Sequence, residues 1–227
     1  MVSEIFRRLS PWLAWAALAT CLAAAVPERG FTTQVSRRLI EREIARFGEP
    51  ARSRIEGWER FARTEKNSGF PAGGIGPDEL QRVNSFFNRV RFVSDLEHWK
   101  VEDYWATPVE TVASNGADCE DFSIAKYFML KELGVPVTKL RITYVVARRL
   151  NQAHMVLAYY PRPESDPLIL DNIDGRVLPA SQRPDLLPVY SFNDDDVLIA
   201  QGGRHAKPQQ IRAWRGMLER LDAEART

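Results

Sequence analysis

"NGADCEDFSIAKYFML", residues 115–130, decides how this chain folds and raises its chemical question. Asp118 stands where a helix would be capped, Cys119 opens the helix, and Cys119, Phe122, Met129 and Leu133 recur near one helical stripe. Gly134 and Pro136 close it. Beyond it the pattern turns to strand. "KLRITYVVA" and "AHMVLAYY", joined by a short polar loop, read as an antiparallel pair, and "PRPESDP" leads into a third run, "LILD". "DGRVLP" and "RPDLLP" read as turns and short extended pieces. The question concerns Cys119: Asp118, Glu120 and Asp121 crowd it, and negative charge makes a thiolate harder to form.

On the N-terminal side the periods are helical. "TQVSRRLIEREIARF" spaces Val35, Leu39, Ile40, Ile44 and Phe47 for one face, and "GEP" (48–50) stops it. "ARSRIEGWERFARTEKN" starts a second helix, and "DELQRVNSFFNRV" a third, capped at Asp78. "GFPAGGIGP" (69–77) is a connector, because it lacks the Gly-Lys-Ser/Thr ending of a phosphate-binding loop. "PQQIRAWRGMLERLDAEAR" is a C-terminal amphipathic helix, and "NDDD" (193–196) a turn or helix cap. No internal repeat is present. The expected fold class is α+β, helices followed by an antiparallel sheet packed against the Cys119 helix.

Composition narrows the partners. The 227 residues are 44% hydrophobic and 27% charged with a formal net charge of +1, so no large field draws the chain to nucleic acid or anionic lipid. Residues 1–25 read as an export signal: Arg7 and Arg8 precede the apolar "PWLAWAALATCLAAA", which ends in small residues. The apolar run is shorter than the ~20 residues of a membrane-spanning helix. A retained anchor and a lipidated Cys21 in "LATC" stand as the alternatives. Cleavage would leave a single domain, 26–227, in the periplasm, with Cys119 as its one cysteine.

Three residue types could then do chemistry. At a helix start, free N–H groups favour a thiolate at Cys119; the alternative, a small buried hydrophobe, sits poorly with a segment as polar as "ADCED". Strand alternation puts His154 with Val156, Ala158 and Tyr160, and Met155 with Leu157 and Tyr159. His154 is either a base for Cys119 or a satisfied core histidine, and Asp171 either fixes its tautomer or starts a turn. His98 and His205 are weaker candidates.

The order Cys, His, Asp on helix, strand and adjacent strand resembles the transglutaminase-like cysteine hydrolase core. "VNSFFN", "DYWATPVETV", "GADCEDFSIAKYF", "GVPVTKLRITYV", "AHMVLAYY", "PLILDNI", "LPAS" and "LPVYSFN" are similar to the bacterial transglutaminase-like cysteine proteinases of the LapG type, periplasmic adhesin proteases. The likeness runs from about Val83 to Asn193. It implies a papain/transglutaminase-like core and a catalytic triad of Cys119, His154 and Asp171. It also implies cleavage of the N-terminal region of a large surface adhesin at a paired-alanine site, calcium dependence, and restraint by an inner-membrane receptor that senses cyclic di-GMP. For the oxyanion the Cys119 N–H is a physical candidate, with Trp99 or Trp105 near it.

Calcium would resolve the charge problem. A carboxylate ~5 Å from the sulfur at an effective dielectric of ~20 disfavours the thiolate by roughly 3 kcal/mol, about two pK units. A Ca²⁺ held by Asp118, Glu120 and Asp121, with other oxygens completing its shell, reverses that local sign. The simpler alternative is that the acids cap the helix. Two further readings of the whole chain are a transglutaminase or amidase type of acyl transferase and a non-catalytic binding module of the same fold.

Overall fold

The computed structural model describes residues 34–69, 75–200 and 207–227. The predicted export signal (1–25) with Cys21, and His205, lie outside the described residues. The first helix, α1 (Arg37–Phe47), begins at Ser36, whose Oγ accepts the Leu39 N–H at 3.1 Å. It ends at Gly48, where φ of 79° puts the backbone in a region that glycine enters at little cost and the Gly48 N–H bonds the Ile44 carbonyl. Helix α2 (Pro50–Asn67) returns across α1 and buries Ile55, Trp58 and Ala62. The cap of helix α3 (Pro77–Phe87) lies two residues before the expected Asp78. Gly76 is its N-cap, Pro77 supplies a first position that needs no N–H, and Glu79 accepts the Gly76 N–H at 2.9 Å.

Strand β1 (Arg91–Phe92), helix α4 (Asp95–His98), helix α5 (Pro108–Ser114) and strand β2 (Gly116–Ala117) lead into α6 (Cys119–Glu132). Short β1 and β2 pair in parallel, which fixes the chain just before Cys119. Residues 121–130 of α6 are buried without a break, where the sequence suggested one stripe. The physical reason is enclosure: α3 and α5 cover the helix on one side and the sheet covers it on the other. Even Lys126 is buried there, with its ammonium 5.5 Å from the Phe122 ring centroid and burial pushing its pKa down to about 7.

The sheet has six antiparallel strands, twice the three that the sequence suggested. They are β3 (Leu140–Ala147), β4 (Gln152–Tyr159), β5 (Leu168–Leu170), β6 (Leu178–Pro179), β7 (Leu186–Phe192) and β8 (Val197–Ile199), in the order β6-β5-β4-β3-β7-β8. Strand β7 takes in the second half of "RPDLLP", read above as turns and short extended pieces. The register of β3 against β7 slips between Tyr144 and Val145, and Pro188 occupies that irregularity, a place where a sheet tolerates a missing N–H. The β4 alternation is as expected. Met155, Leu157 and Tyr159 join the main core with α6, while Val156 and Ala158 face a smaller cluster with Val145, Ile169 and Leu186. "NDDD" is a turn, in which Asn193 Oδ1 accepts the N–H groups of Asp195 and Asp196.

Helix α7 (Arg212–Ala225) closes the main core. Its Trp214 is fully buried, stacked on Phe128 at 5.8 Å and edge-on to Phe192 at 5.2 Å. Trp214→Ala should cost about 3–5 kcal/mol by loss of burial and packing. Urea unfolding followed by circular dichroism measures this, and a much smaller loss would show α7 to be a peripheral attachment.

Candidate active site

The start of α6 is built by a carboxylate. Asp121, fully buried, accepts the Ala106 N–H at 2.7 Å and the Asp118 N–H at 3.4 Å. It therefore ties the segment before α5 to the first turn of α6. Asp118 holds the N-cap position, yet its own side chain makes no capping bond. It turns instead toward Glu120 and Asp95. Oxygens of Asp95, Asp118 and Glu120 lie within 4.8 Å of one another, and Asp121 is outside this group. The carboxylates that the fold groups are therefore Asp95, Asp118 and Glu120, while Asp121, expected with Asp118 and Glu120, stands apart as the brace.

That trio has the chemistry of a hard-cation site. Asp95 Oδ2 accepts the Tyr104 N–H at 2.5 Å, but Asp95 Oδ1 and Asp118 Oδ1 are buried and accept no hydrogen bond. Burial first, then the neighbouring acids, pushes Asp95 up to about 6 and Asp118 up to about 10. Uncompensated acceptors in a group of like charges are what a divalent ion with oxygen ligands would satisfy. Asp95 escaped sequence reading because it lies 23 residues before Asp118, in a four-residue helix capped by Ser94.

Cys119 is half-buried against the main core. Its Sγ is 3.1 Å from Glu120 Oε2, and the Met155 N–H is its other hydrogen-bonding neighbour. Burial is the largest influence raising the thiol's pKa, followed by Glu120 and then Asp118; the Met155 N–H opposes them. The acids flanking Cys119 in sequence do suppress its thiolate, but dehydration does so more.

One residue before Met155, His154 is buried and paired with Val145 across β3. Its Nε2 is 2.8 Å from Asp171 Oδ1. Asp171 follows β5, and its Oδ1 also accepts the Ile173 N–H at 2.9 Å. Burial alone would raise this carboxyl. The bond to and charge of His154, the Ile173 N–H and Arg183 outweigh it and hold the pKa well below the usual carboxylate range. Asn88 at the end of α3 donates to the Asp171 carbonyl at 2.8 Å, and Asn84 and Gln81 both donate to Gly175 O. These α3 residues lie in or beside "VNSFFN" and hold the loop that carries Asp171. Their role depends on contacts 83 to 94 residues away, which no local pattern reveals.

The weaker candidates stand elsewhere. His98 packs its ring on Trp99 and against Gly116, where a Cβ would come within 2.7 Å of it. The Trp105 indole N–H donates to Asp103 at 2.9 Å, so it is engaged, while Trp99 packs on Phe47 and Tyr104.

A thiol at the head of a buried helix, laid across an antiparallel sheet, defines the transglutaminase-like fold. The chain belongs to the bacterial transglutaminase-like cysteine proteinases, whose family model matches residues 63–185. Among solved structures it is similar to Legionella pneumophila LapG, EGTA-treated, with 36% identity over 84% of this chain and 98% of that one and a TM-score of 0.70. Legionella pneumophila LapG in its calcium-bound form is 37% identical over 84% of this chain and 99% of that one, with a TM-score of 0.67. Comparison with curated proteins found no match.

The trio makes a testable claim about stability. With folded pKa values raised to about 6 and about 10, Asp95 and Asp118 disfavour folding increasingly as pH rises from about 4 through those values. A cation that displaces their protons should bind more tightly as pH rises. Added Ca²⁺ should therefore raise the melting temperature, more at pH 8 than at pH 5.5. At about 100 times its dissociation constant it should contribute about 2.7 kcal/mol. Asp95→Asn and Asp118→Asn should each diminish the increment in scanning calorimetry. A calcium-independent melting temperature would refute the site.

Proposed function

We propose that this chain is a calcium-dependent cysteine endoprotease in which Cys119 is the nucleophile, His154 the general base and Asp171 the residue that orients it. The observation that carries this reading is the placement of the thiol. Cys119 lies against the backbone of Met155, and the adjacent His154 has its Nε2 bonded to Asp171. Nδ1 is then the imidazole nitrogen left to take the thiol proton and later deliver it to the leaving amine. The acyl-enzyme forms on Sγ, and water releases it with His154 again as base. The Cys119 N–H at the helix start is the physical candidate for holding the oxyanion.

Calcium on Asp95, Asp118 and Glu120 would supply positive charge beside a thiol now held protonated. A calcium-bound LapG among the similar structures supports the choice of ion. The resemblance to LapG-type proteases supports the substrate, the N-terminal region of a large surface adhesin whose release disperses a biofilm. It likewise supports inhibition by an inner-membrane receptor for cyclic di-GMP. Residues 1–25 support action in the periplasm.

Cleavage of a recombinant adhesin N-terminal segment tests the assignment. Cys119→Ala should abolish it with the fold intact, and His154→Ala should be nearly as inactive. Asp171→Asn should lose activity by up to about 10⁴-fold through the wrong tautomer. EGTA should stop the reaction and Ca²⁺ should restore it better than Mg²⁺, since Mg²⁺ demands a strict octahedron. Turnover by Cys119→Ala at the wild-type rate would sink the triad. Mass spectrometry of protein from the periplasm should find an N-terminus near Val26, whereas a lipidated Cys21 or an intact Met1 would overturn the export reading.

A further inference from the structure

We propose that Arg183 is a positioning residue for the catalytic histidine: it fixes the Asp171 carboxylate in the one orientation that presents Oδ1 to His154. The inference rests on the triad reading above and adds a fourth member behind it. Arg183 stands in "RPDLLP", just after a short 3-10 turn, Ala180–Gln182, and is 3% exposed. Its Nη2 lies 2.7 Å from Asp171 Oδ2 and 2.9 Å from Asp185 Oδ2, while Nε lies 3.1 Å from Asp185 Oδ1. The guanidinium is therefore clamped along one edge by Asp185 and reaches Asp171 with the same edge. Asp185 is itself held, because its carbonyl accepts the Arg148 N–H at 2.8 Å, beside the turn that leads into β4 and His154.

The two oxygens of Asp171 have separate duties. Oδ1 accepts from His154 and from the Ile173 N–H, and Oδ2 is held by Arg183. A carboxylate gripped at one oxygen alone can swing about its Cα–Cβ and Cβ–Cγ bonds, whereas one gripped at both cannot. Arg183 also keeps a buried Oδ2 from lacking a partner, a state that would favour protonation of the carboxyl and loss of the charge His154 needs. A second cation, Lys126 on α6, is within electrostatic reach of Asp171, yet the direct ion pair to Oδ2 is that of Arg183. A lysine at 183 would keep the charge but could not hold Asp185 and Asp171 along one planar edge.

The surroundings make the idea testable by chemical rescue. Arg183 lines a cavity of about 440 Å³ with Arg149, Ile173, Arg176 and Asp185, open at the end of the sheet near the β3–β4 turn. A small guanidinium ion can therefore reach the space that a truncated side chain would leave. The experiment uses the calcium-loaded chain and the same adhesin segment. Arg183→Ala should lower kcat roughly 10- to 100-fold, the range expected when a reacting group loses its alignment, with KM within about twofold. Guanidinium in the millimolar range should restore much of that loss in Arg183→Ala and nothing in wild type. In an Asp171→Asn background the same substitution should change kcat by less than about threefold, because Arg183 acts through Asp171. Wild-type kcat in Arg183→Ala, or an equal loss in both backgrounds with no rescue, would overturn the inference. Should Arg183→Ala fail to fold, Arg183→Lys carries the test: it should melt like wild type with kcat reduced at least about threefold, and a wild-type kcat would refute the role. Activity retained by Cys119→Ala or Asp171→Asn would instead defeat the triad itself, so the two failures are distinguishable.

Discussion

Asp121 accepts hydrogen bonds from Ala106 and Asp118 with a carboxylate sealed from solvent, and the position of the thiol follows from that brace. The first turn of α6 cannot move without breaking hydrogen bonds to a buried acceptor, which costs more than breaking bonds in water. Cys119 is thus delivered to the backbone of Met155, and Asp118 is freed from capping to face Asp95 and Glu120. The site concentrates negative charge where a thiolate must form. Such an arrangement is unfavourable by itself, and a cation among the acids would offset it.

A second buried charge network supports the first from behind. Glu43, Glu110 and Glu224 are buried at the meeting of α1, α5 and α7, with Arg42, Arg46 and Arg220 around them. Tyr104 donates to Glu110, Thr107 donates to Glu224, and Arg220 bonds the Trp105 carbonyl. Burial pushes Glu224 up to about 8, with Glu110 and Glu43 raising it further against Thr107 and Arg42. Buried pairs of this kind contribute little net stability relative to a well-packed apolar core, but they tolerate few alternative arrangements. Here they specify where residues 104–107 lie, and those residues flank both Asp95 and Asp121. Helices α1 and α7 are therefore part of the scaffold that positions the start of α6.

Much of the architecture was legible in local pattern. Helical spacing marked α1, α2 and α7, and alternation divided β4 correctly between two cores. The helix-start position of Cys119 and the strand positions of His154 and Asp171 came from short stretches. Those stretches did not distinguish a catalytic His154 from a satisfied core histidine. Strand β7 was read only as turns and short extended pieces because Pro188 and Asp185 mimic turn chemistry, and a bulge that accommodates proline exists only once β3 lies alongside. The stripe assigned to α6 was too narrow, since a central helix is enclosed all round and has no solvent face to create a period.

Sequence by itself determined that a helix would start at Cys119 amid acids, that strands would follow, and that histidine and aspartate would come from neighbouring strand segments. These are properties of nearest neighbours and short periods, written wherever backbone propensity and side-chain alternation agree. Tertiary structure alone decided which carboxylates cluster at the helix start, which one braces the helix, and which cation stands behind Asp171. Asp95 meets Asp118 across 23 residues, and Arg183 meets Asp171 across the Ala180–Gln182 turn while Asp185 holds the same guanidinium edge. Such pairings depend on distances of a few ångströms between separate elements, and sequence spacing does not encode distance once the chain has folded back on itself.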